Sequence, residues 1–259
     1  MQPITLTIPE ITAWLGSFFW PFVRIAAMFS IAPVIGGRQI PAQIKIAAAI
    51  LVTLSVLPLQ QAVPEVAPWS AIGVYITAQQ MLIGLVMGFI LTLVFAAMNI
   101  AGHSIGMSMG LGFSLAVDPN NGVQVPIISQ FFSITATLLF LSLNGHLALI
   151  STMASSFEYL PVASEGIRPD GLWQLIKFSS IMFAGALSVA LPAIIALLMA
   201  NLVMGVMTRS APQMNIFSIG FPMTMMAGFT VLIFTLPNML SVFERLMDES
   251  FLVMLEVLK

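Results

Sequence analysis

The chain has 259 residues, of which 59% are hydrophobic and only 7% charged, and its mean hydropathy is +1.05, so a water-soluble fold would have too few polar residues to clothe its surface. A formal net charge of −2, from eight basic and ten acidic side chains, leaves no basic surface for nucleic acid, and the absence of cysteine excludes disulfides, thiolate metal ligands and cysteine nucleophiles. What remains is an all-α polytopic membrane protein, with room for about six or seven spans of ~20 residues and no separate soluble domain.

Six apolar runs are expected to form long, partly kinked helices: 11–33, 44–63, 72–101, 127–150, 178–207 and 216–240. No positive n-region precedes the first run, which is therefore expected to stay in the mature protein rather than be cleaved as a signal. Arg24 sits near its middle, where a charge facing lipid costs about 2.5–3.5 kcal/mol on insertion scales. The guanidinium must face protein or water, and either a carbonyl or carboxylate on a neighbouring helix or a substrate contact satisfies that demand. Gly36-Gly37-Arg38 with Pro41 marks the first connector, and the proline-bounded stretch 58–68 the second. In the third run Gly84 and Gly88 have the four-residue spacing of close helix packing.

Residues 102–126, GHSIGMSMGLGFSLAVDPNNGVQVP, place glycines and two methionines between two almost uncharged apolar runs. Backbone with so little side-chain bulk can approach neighbours closely or fill a narrow space. Gly102, Gly106 and Gly110 would line one face of a helix, Met107 and Met109 are flexible thioethers suited to a deformable seal, and Asp118-Pro119-Asn120-Asn121-Gly122 is a turn sequence. The same stretch contains Gly106-Met107-Ser108-Met109-Gly110, a match to G-x-S-x-G, and Ser108, Asp118 and His146 follow in the order of a hydrolase triad. That motif needs a strand-to-helix turn on a sheet, which a chain of apolar helices does not offer. No G-x-x-x-x-G-K-[ST] loop is present, and His103 and His146 are too isolated for a metal site.

Beyond the fourth run, connectors are expected at 155–171 and 209–213. Pro192, Pro222 and Pro237 fall within the last two runs, where they kink helices or break them. From Leu240 onward Phe243, Met247, Phe251, Met254 and Leu258 form a stripe opposite Arg245, Asp248, Glu249 and Glu256, predicting an amphipathic C-terminal helix that lies against a protein partner or at an interface. Loop charges are balanced, with Arg38, Lys45 and Arg209 on one side and Arg168, Lys177, Arg245 and Lys259 on the other, and set no orientation. A small-solute transporter working alone would need an intramembrane carboxylate for ion coupling, and no Asp or Glu lies inside any of the six runs.

Three stretches carry a family resemblance. They are Arg38-Gln39-Ile40-Pro41 with Lys45; GFSLAVDP within 102–126, followed by Leu143-Asn144-Gly145-His146; and Ala211-Pro212-Gln213-Met214-Asn215-Ile216 running into Gly220-Phe221-Pro222. Together they resemble the FliR family of flagellar and type III secretion export-gate subunits. The resemblance implies a non-enzymatic membrane subunit of the gate for unfolded flagellar proteins, at the basal body in the bacterial inner membrane and without a cofactor. Its implied partners are FliP-like and FliQ-like gate subunits and an FlhB-like export subunit. It also implies a FliP-like portion at 1–164, a FliQ-like hairpin at 165–259, and a pore plug at 106–123 that includes Gly106, Met107, Met109, Gly110, Gly112, Phe113 and Asp118. Arg24, Arg38, Arg209, Gln213 and Asn215 are the expected subunit contacts.

Overall fold

The computed structural model describes residues 8–60, 63–64, 66–112, 115–117, 124–163, 165–210 and 216–259. In chain order the helices are α1 (Ile8–Ile31), α2 (Ala42–Val56), α3 (Ala71–Ser108), α4 (Ile127–Ser142), α5 (Gly145–Tyr159), α6 (Pro169–Ser210) and α7 (Ile216–Glu256). One 3-10 turn, Leu57–Leu59, closes α2, and two short strands, β1 (Leu115–Val117) and β2 (Gln124–Pro126), lie between α3 and α4.

The fold is helical, as the composition requires, because a chain in hydrocarbon must satisfy its backbone hydrogen bonds internally. The expectation of six spans is not met. Among the described residues three helices are long and apolar enough to cross a membrane, Ala71–Ser108, Pro169–Met207 and Pro222–Glu256, and α4 with α5 makes a fourth if that broken pair is counted as one. The run 127–150 is interrupted because Asn144 adopts φ 57°, a left-handed conformation that Asn tolerates and that ends α4 before α5 begins. At 15 residues α2 rises only about 22 Å, short of a ~30 Å hydrocarbon core.

The last two runs grow beyond their expected bounds. The amphipathic tail does not form a separate helix but continues the sixth run as one 41-residue helix, α7. Of its apolar stripe Phe243, Met247, Met254 and Leu258 are buried, while Leu240 is exposed. The partner of that stripe is the chain itself. α6 and α7 run antiparallel: Gly171 faces the Val257 carbonyl, a Cβ at Gly185 would lie 2.7 Å from Leu246 Cδ1, and Asn238 Nδ2 donates to Ser188 O at 3.0 Å. The last bond repairs a specific defect. Pro192 has no N–H, so the carbonyl four residues earlier, Ser188 O, loses its helical donor, and Asn238 supplies one from α7.

By compactness the chain forms two units, Met1–Thr92 with Asn144–Phe178 and Glu249–Lys259, and Leu93–Leu143 with Ser179–Asp248. In the second, Phe95 meets Phe140 and Phe243 edge to face, with centroids 5.7 Å apart in each pair. In the first, Trp20, Ile25, Met28, Ile83 and Met87 are buried, and α1 lies so close to α3 that a Cβ at Gly84 would collide with the Arg24 carbonyl oxygen. Gly88 makes the same approach one turn on, where a Cβ would sit 2.8 Å from Met28 O. The pair thus packs as its spacing predicts.

Arg24 projects from this contact with 0% of its surface exposed. Its Nε donates to Gln80 Oε1 at 2.8 Å, Nη1 to Ser156 O at 3.1 Å and Ser156 Oγ at 3.2 Å, and Nη2 to Leu160 O at 2.9 Å. The Phe157 ring lies 4.2 Å from the guanidinium carbon. Ser156 and Leu160 are at the C-terminal end of α5, where the helix dipole is negative: Leu160 O lies past the last helical donor, and Ser156 O, which accepts from Leu160 N–H at 3.0 Å, takes Nη1 as a second donor, so the cation caps α5. Arg24→Met would take the donor from Leu160 O and Gln80 Oε1 and one of two from Ser156 O, and we expect a loss of about 3 kcal/mol or more. Thermal unfolding in detergent measures it; Arg24→Lys, which keeps the charge but not the fork, should fall between the two.

Candidate functional site

The glycine-rich stretch is not one loop. Residues 102–108 are the last turns of α3, and the helix then stops in a Schellman motif: Gly110 N–H donates to Met107 O at 3.1 Å and Leu111 N–H to Gly106 O at 3.0 Å. Gly110 takes φ 78°, which L side chains rarely adopt, so this glycine is required by backbone geometry. Gly102 and Gly106 have another task. A Cβ at Gly102 would lie 2.8 Å from Ser129 Cα, and one at Gly106 3.3 Å from Ile128 Cβ, so these positions let the start of α4 press against the end of α3. Two polar bonds fasten the same contact, Ser129 Oγ to Asn99 O and Asn99 Nδ2 to Ser133 Oγ, both at 3.3 Å.

The chain therefore departs at Met109 and returns at Pro126 to a closed base. Within the excursion β1 and β2 pair antiparallel, with Leu115 opposite Pro126, Ala116 opposite Val125 and Val117 opposite Gln124. Phe113 and Asp118, expected in the plug, lie outside the described residues. The two methionines differ sharply. Met107 is 55% exposed and covers Gly112, whereas Met109 has no exposed surface and fills a notch in α7 at Gly228. A Cβ at 228 would lie 2.7 Å from Met109 Cγ and 3.0 Å from its sulfur.

The G-x-S-x-G match resolves into helix and helix cap. Ser108 Oγ donates to Ser104 O at 2.9 Å, a bond four residues back along α3, and the strand-to-helix elbow of a hydrolase is not what surrounds it. His103 is exposed, His146 sits in the first turn of α5, and among the described residues no three His, Asp or Glu side chains gather as metal ligands.

The expected subunit contacts fall in different places. Arg24 turns inward, and its partners are all in its own chain. Arg38 is exposed on the connector after α1, which Lys45 braces by donating from Nζ to Gly36 O at 2.7 Å. Arg209 is exposed in the last turn of α6, and Gln213 and Asn215 lie outside the described residues. Gly228 and Asn238 were not anticipated. The one sequence sign of the notch is Ala227-Gly228, a small pair in a helix otherwise crowded with Met and Phe.

The model of a protein family described as "Bacterial export proteins, family 1" matches residues 15–250. The chain is 38% identical over 255 residues to the "Flagellar biosynthetic protein FliR" of Pectobacterium carotovorum, and 35% identical over 255 residues to the protein of that name in Escherichia coli; each alignment covers 98% of this chain and 97% of the relative. It is also 27% identical over 228 residues to the "Surface presentation of antigens protein SpaR" of Salmonella typhimurium, covering 88% of this chain and 84% of that protein.

The Schellman stop can be tested in isolation. Gly110→Val forces a β-branched residue into the left-handed region at a cost of about 1–2 kcal/mol, so hydrogen exchange at the Gly110 and Leu111 amides should speed up roughly tenfold. Gly110→Asn, which tolerates that conformation, should leave exchange close to the parent rate.

Proposed function

The chain belongs to family 1 of the bacterial export proteins, and we propose that it is a non-enzymatic subunit of the flagellar type III export gate that helps to form, and plugs, the pore for unfolded flagellar proteins. The observation that carries this reading is the closed excursion 109–126: a helix stopped by Gly110, a return at Pro126, and a base clamped by Gly102, Gly106 and two hydrogen bonds. A passage for unfolded chains must accept every side chain and yet block ions when idle. A segment that carries Gly110, Gly112 and Gly122, is entered through Met107 and Met109 and is tethered at both ends to one base suits that double demand. Gly106, Met107, Met109, Gly110 and Gly112, with Phe113 and Asp118, are the plug residues of this reading.

The antiparallel α6–α7 hairpin supports reading 165–259 as a FliQ-like portion beside a FliP-like 1–164. FliP-like and FliQ-like subunits would pack around it, an FlhB-like subunit would join them, and the complex would sit at the basal body in the bacterial inner membrane. Exposed Arg38 and Arg209 are suited to charge-assisted contacts with these neighbours, together with Gln213 and Asn215.

Replacing 111–123 by a short Gly–Ser linker should leave the complex assembled but make the closed gate leak ions, read as conductance or as growth inhibition on induction. An assembled linker variant that stays sealed would falsify the plug. Placement of the α6–α7 connector is tested separately by a photocrosslinker at Gln213 in cells. Adducts to an FlhB-like or another gate subunit from the cytoplasmic side are expected, and periplasmic labelling of a cysteine at Arg209 would reverse the orientation.

A further inference from the structure

The two attachments of the 109–126 excursion differ in kind. Toward α4 the contact is made at backbone level and locked by polar bonds: glycines at 102 and 106 admit Ser129 and Ile128, and Asn99 is tied to both Ser129 and Ser133. Toward α7, among the described residues, a thioether sits in a notch. Met109 is wholly buried, its side chain rests on Gly228, and a thioether offers only dispersion and a weak acceptor to hold it there. Unmaking the first contact strands hydrogen-bonding groups, whereas lifting the Met109 thioether off Gly228 strands none.

The notch also lies in the deformable part of α7. Gly228 stands between Pro222 and Pro237, each of which removes a backbone donor from the helix. Asn238 pins α7 to Ser188 of α6 directly after the second proline. The stretch from Asn238 toward the N-terminus of α7 is thus pinned to α6 at Asn238, weakened at two points and glycine-notched between them. Movement of that stretch withdraws the floor under Met109 while leaving the α3–α4 base intact.

We propose that the seat of Met109 on Gly228 is the release point of the plug: Met109 occupies the notch when the gate is closed, and export requires it to leave. This rests on the reading of 109–126 as the plug and adds to it which contact opens and which helix controls it. The thioether suits a contact made and broken repeatedly, because it re-seats in several rotamers.

The test is a covalent lock. Because a Cβ at 228 would lie 2.7 Å from Met109 Cγ, one bond from Met109 Cβ, the two Cβ atoms are within about 4.2 Å, inside disulfide range. The chain has no cysteine of its own, so Met109→Cys with Gly228→Cys introduces the pair alone. In cells carrying the complete gate, export by the double variant in its reduced form is the reference against which the oxidised form is read. Copper–phenanthroline should form an intrachain disulfide and lower export at least tenfold, and dithiothreitol should restore it. Failure to cross-link in an assembled gate, or normal export by the cross-linked protein, overturns the release point. Gly228→Leu offers a second arm: it expels Met109 and should make the idle gate leak, and an assembled Gly228→Leu gate that remains sealed also overturns it. If the 111–123 linker variant leaks while the cross-linked gate exports, the plug stands and the release point fails. If the linker variant stays sealed, the plug fails and the release point with it.

Discussion

A full positive charge inside an apolar helical unit is the constraint on which the first unit depends. Arg24 is the only charged side chain that is wholly buried among the described residues, and carbonyls, an amide and a ring face surround it in place of a carboxylate. The negative end of α5 supplies the compensating field through Ser156 O and Leu160 O. This arrangement sets distances between three helices at once. Gly84 brings α3 against the carbonyl oxygen of Arg24 itself, Gln80 lies one turn earlier on α3, and α5 must end at Tyr159 for its terminal carbonyls to face the fork. A shorter cation cannot span the acceptors on Gln80, Ser156 and Leu160, and a Cβ at 84 would push its backbone away from them.

The second unit answers the same demand with neutral groups. Hydrocarbon offers no water to a carbonyl that a proline has orphaned, so Ser188 O must be served from within the protein, and Asn238 does so. Close backbone approach again uses glycine, at 102 and 106 against α4 and at 185 against Leu246. Ser129, Ser133 and Thr235 are buried among mainly apolar neighbours, while large apolar side chains such as Phe234 and Ile233 point outward, where water would disfavour them and lipid or other protein does not.

Much of this was legible in the sequence, and the illegible part has a common cause. A charge at Arg24 in an apolar run announces burial, and four-residue glycine spacing announces helix contact; both are local signals, and both hold in the structure. The identity of Arg24's acceptors was not legible, because they lie 132 and 136 residues away. Gly110 belongs by spacing to the face of Gly102 and Gly106, yet it serves as a helix stop, since a stripe and a cap use the same residue. Hydropathy also misjudged the spans, because it weighs composition without seeing Asn144 turn left-handed or the amphipathic tail run on as one helix with the sixth run. The Met109–Gly228 notch joins residues more than a hundred positions apart and leaves only a small residue pair as its trace.

The lengths of the helices bear on what surrounds this protein. α3, α6 and α7 have 38, 42 and 41 residues, about 57–63 Å of helix each, roughly twice the thickness of a hydrocarbon core. On α6 exposed apolar side chains continue from Leu172 through Ile176, Leu187, Ile195 and Leu202 to Met207, some 52 Å of contour. Lipid can cover about 30 Å of it. Leaving the remainder in water would expose a contiguous apolar strip of the kind that folded proteins bury in interfaces. Tilt alone does not remove the excess, since bringing 52 Å within 30 Å needs an inclination of about 55°, beyond the 0–40° that spanning helices adopt. Other protein must cover the rest of α6, so the fold of this chain is complete only within an assembly, as membership in an export apparatus requires.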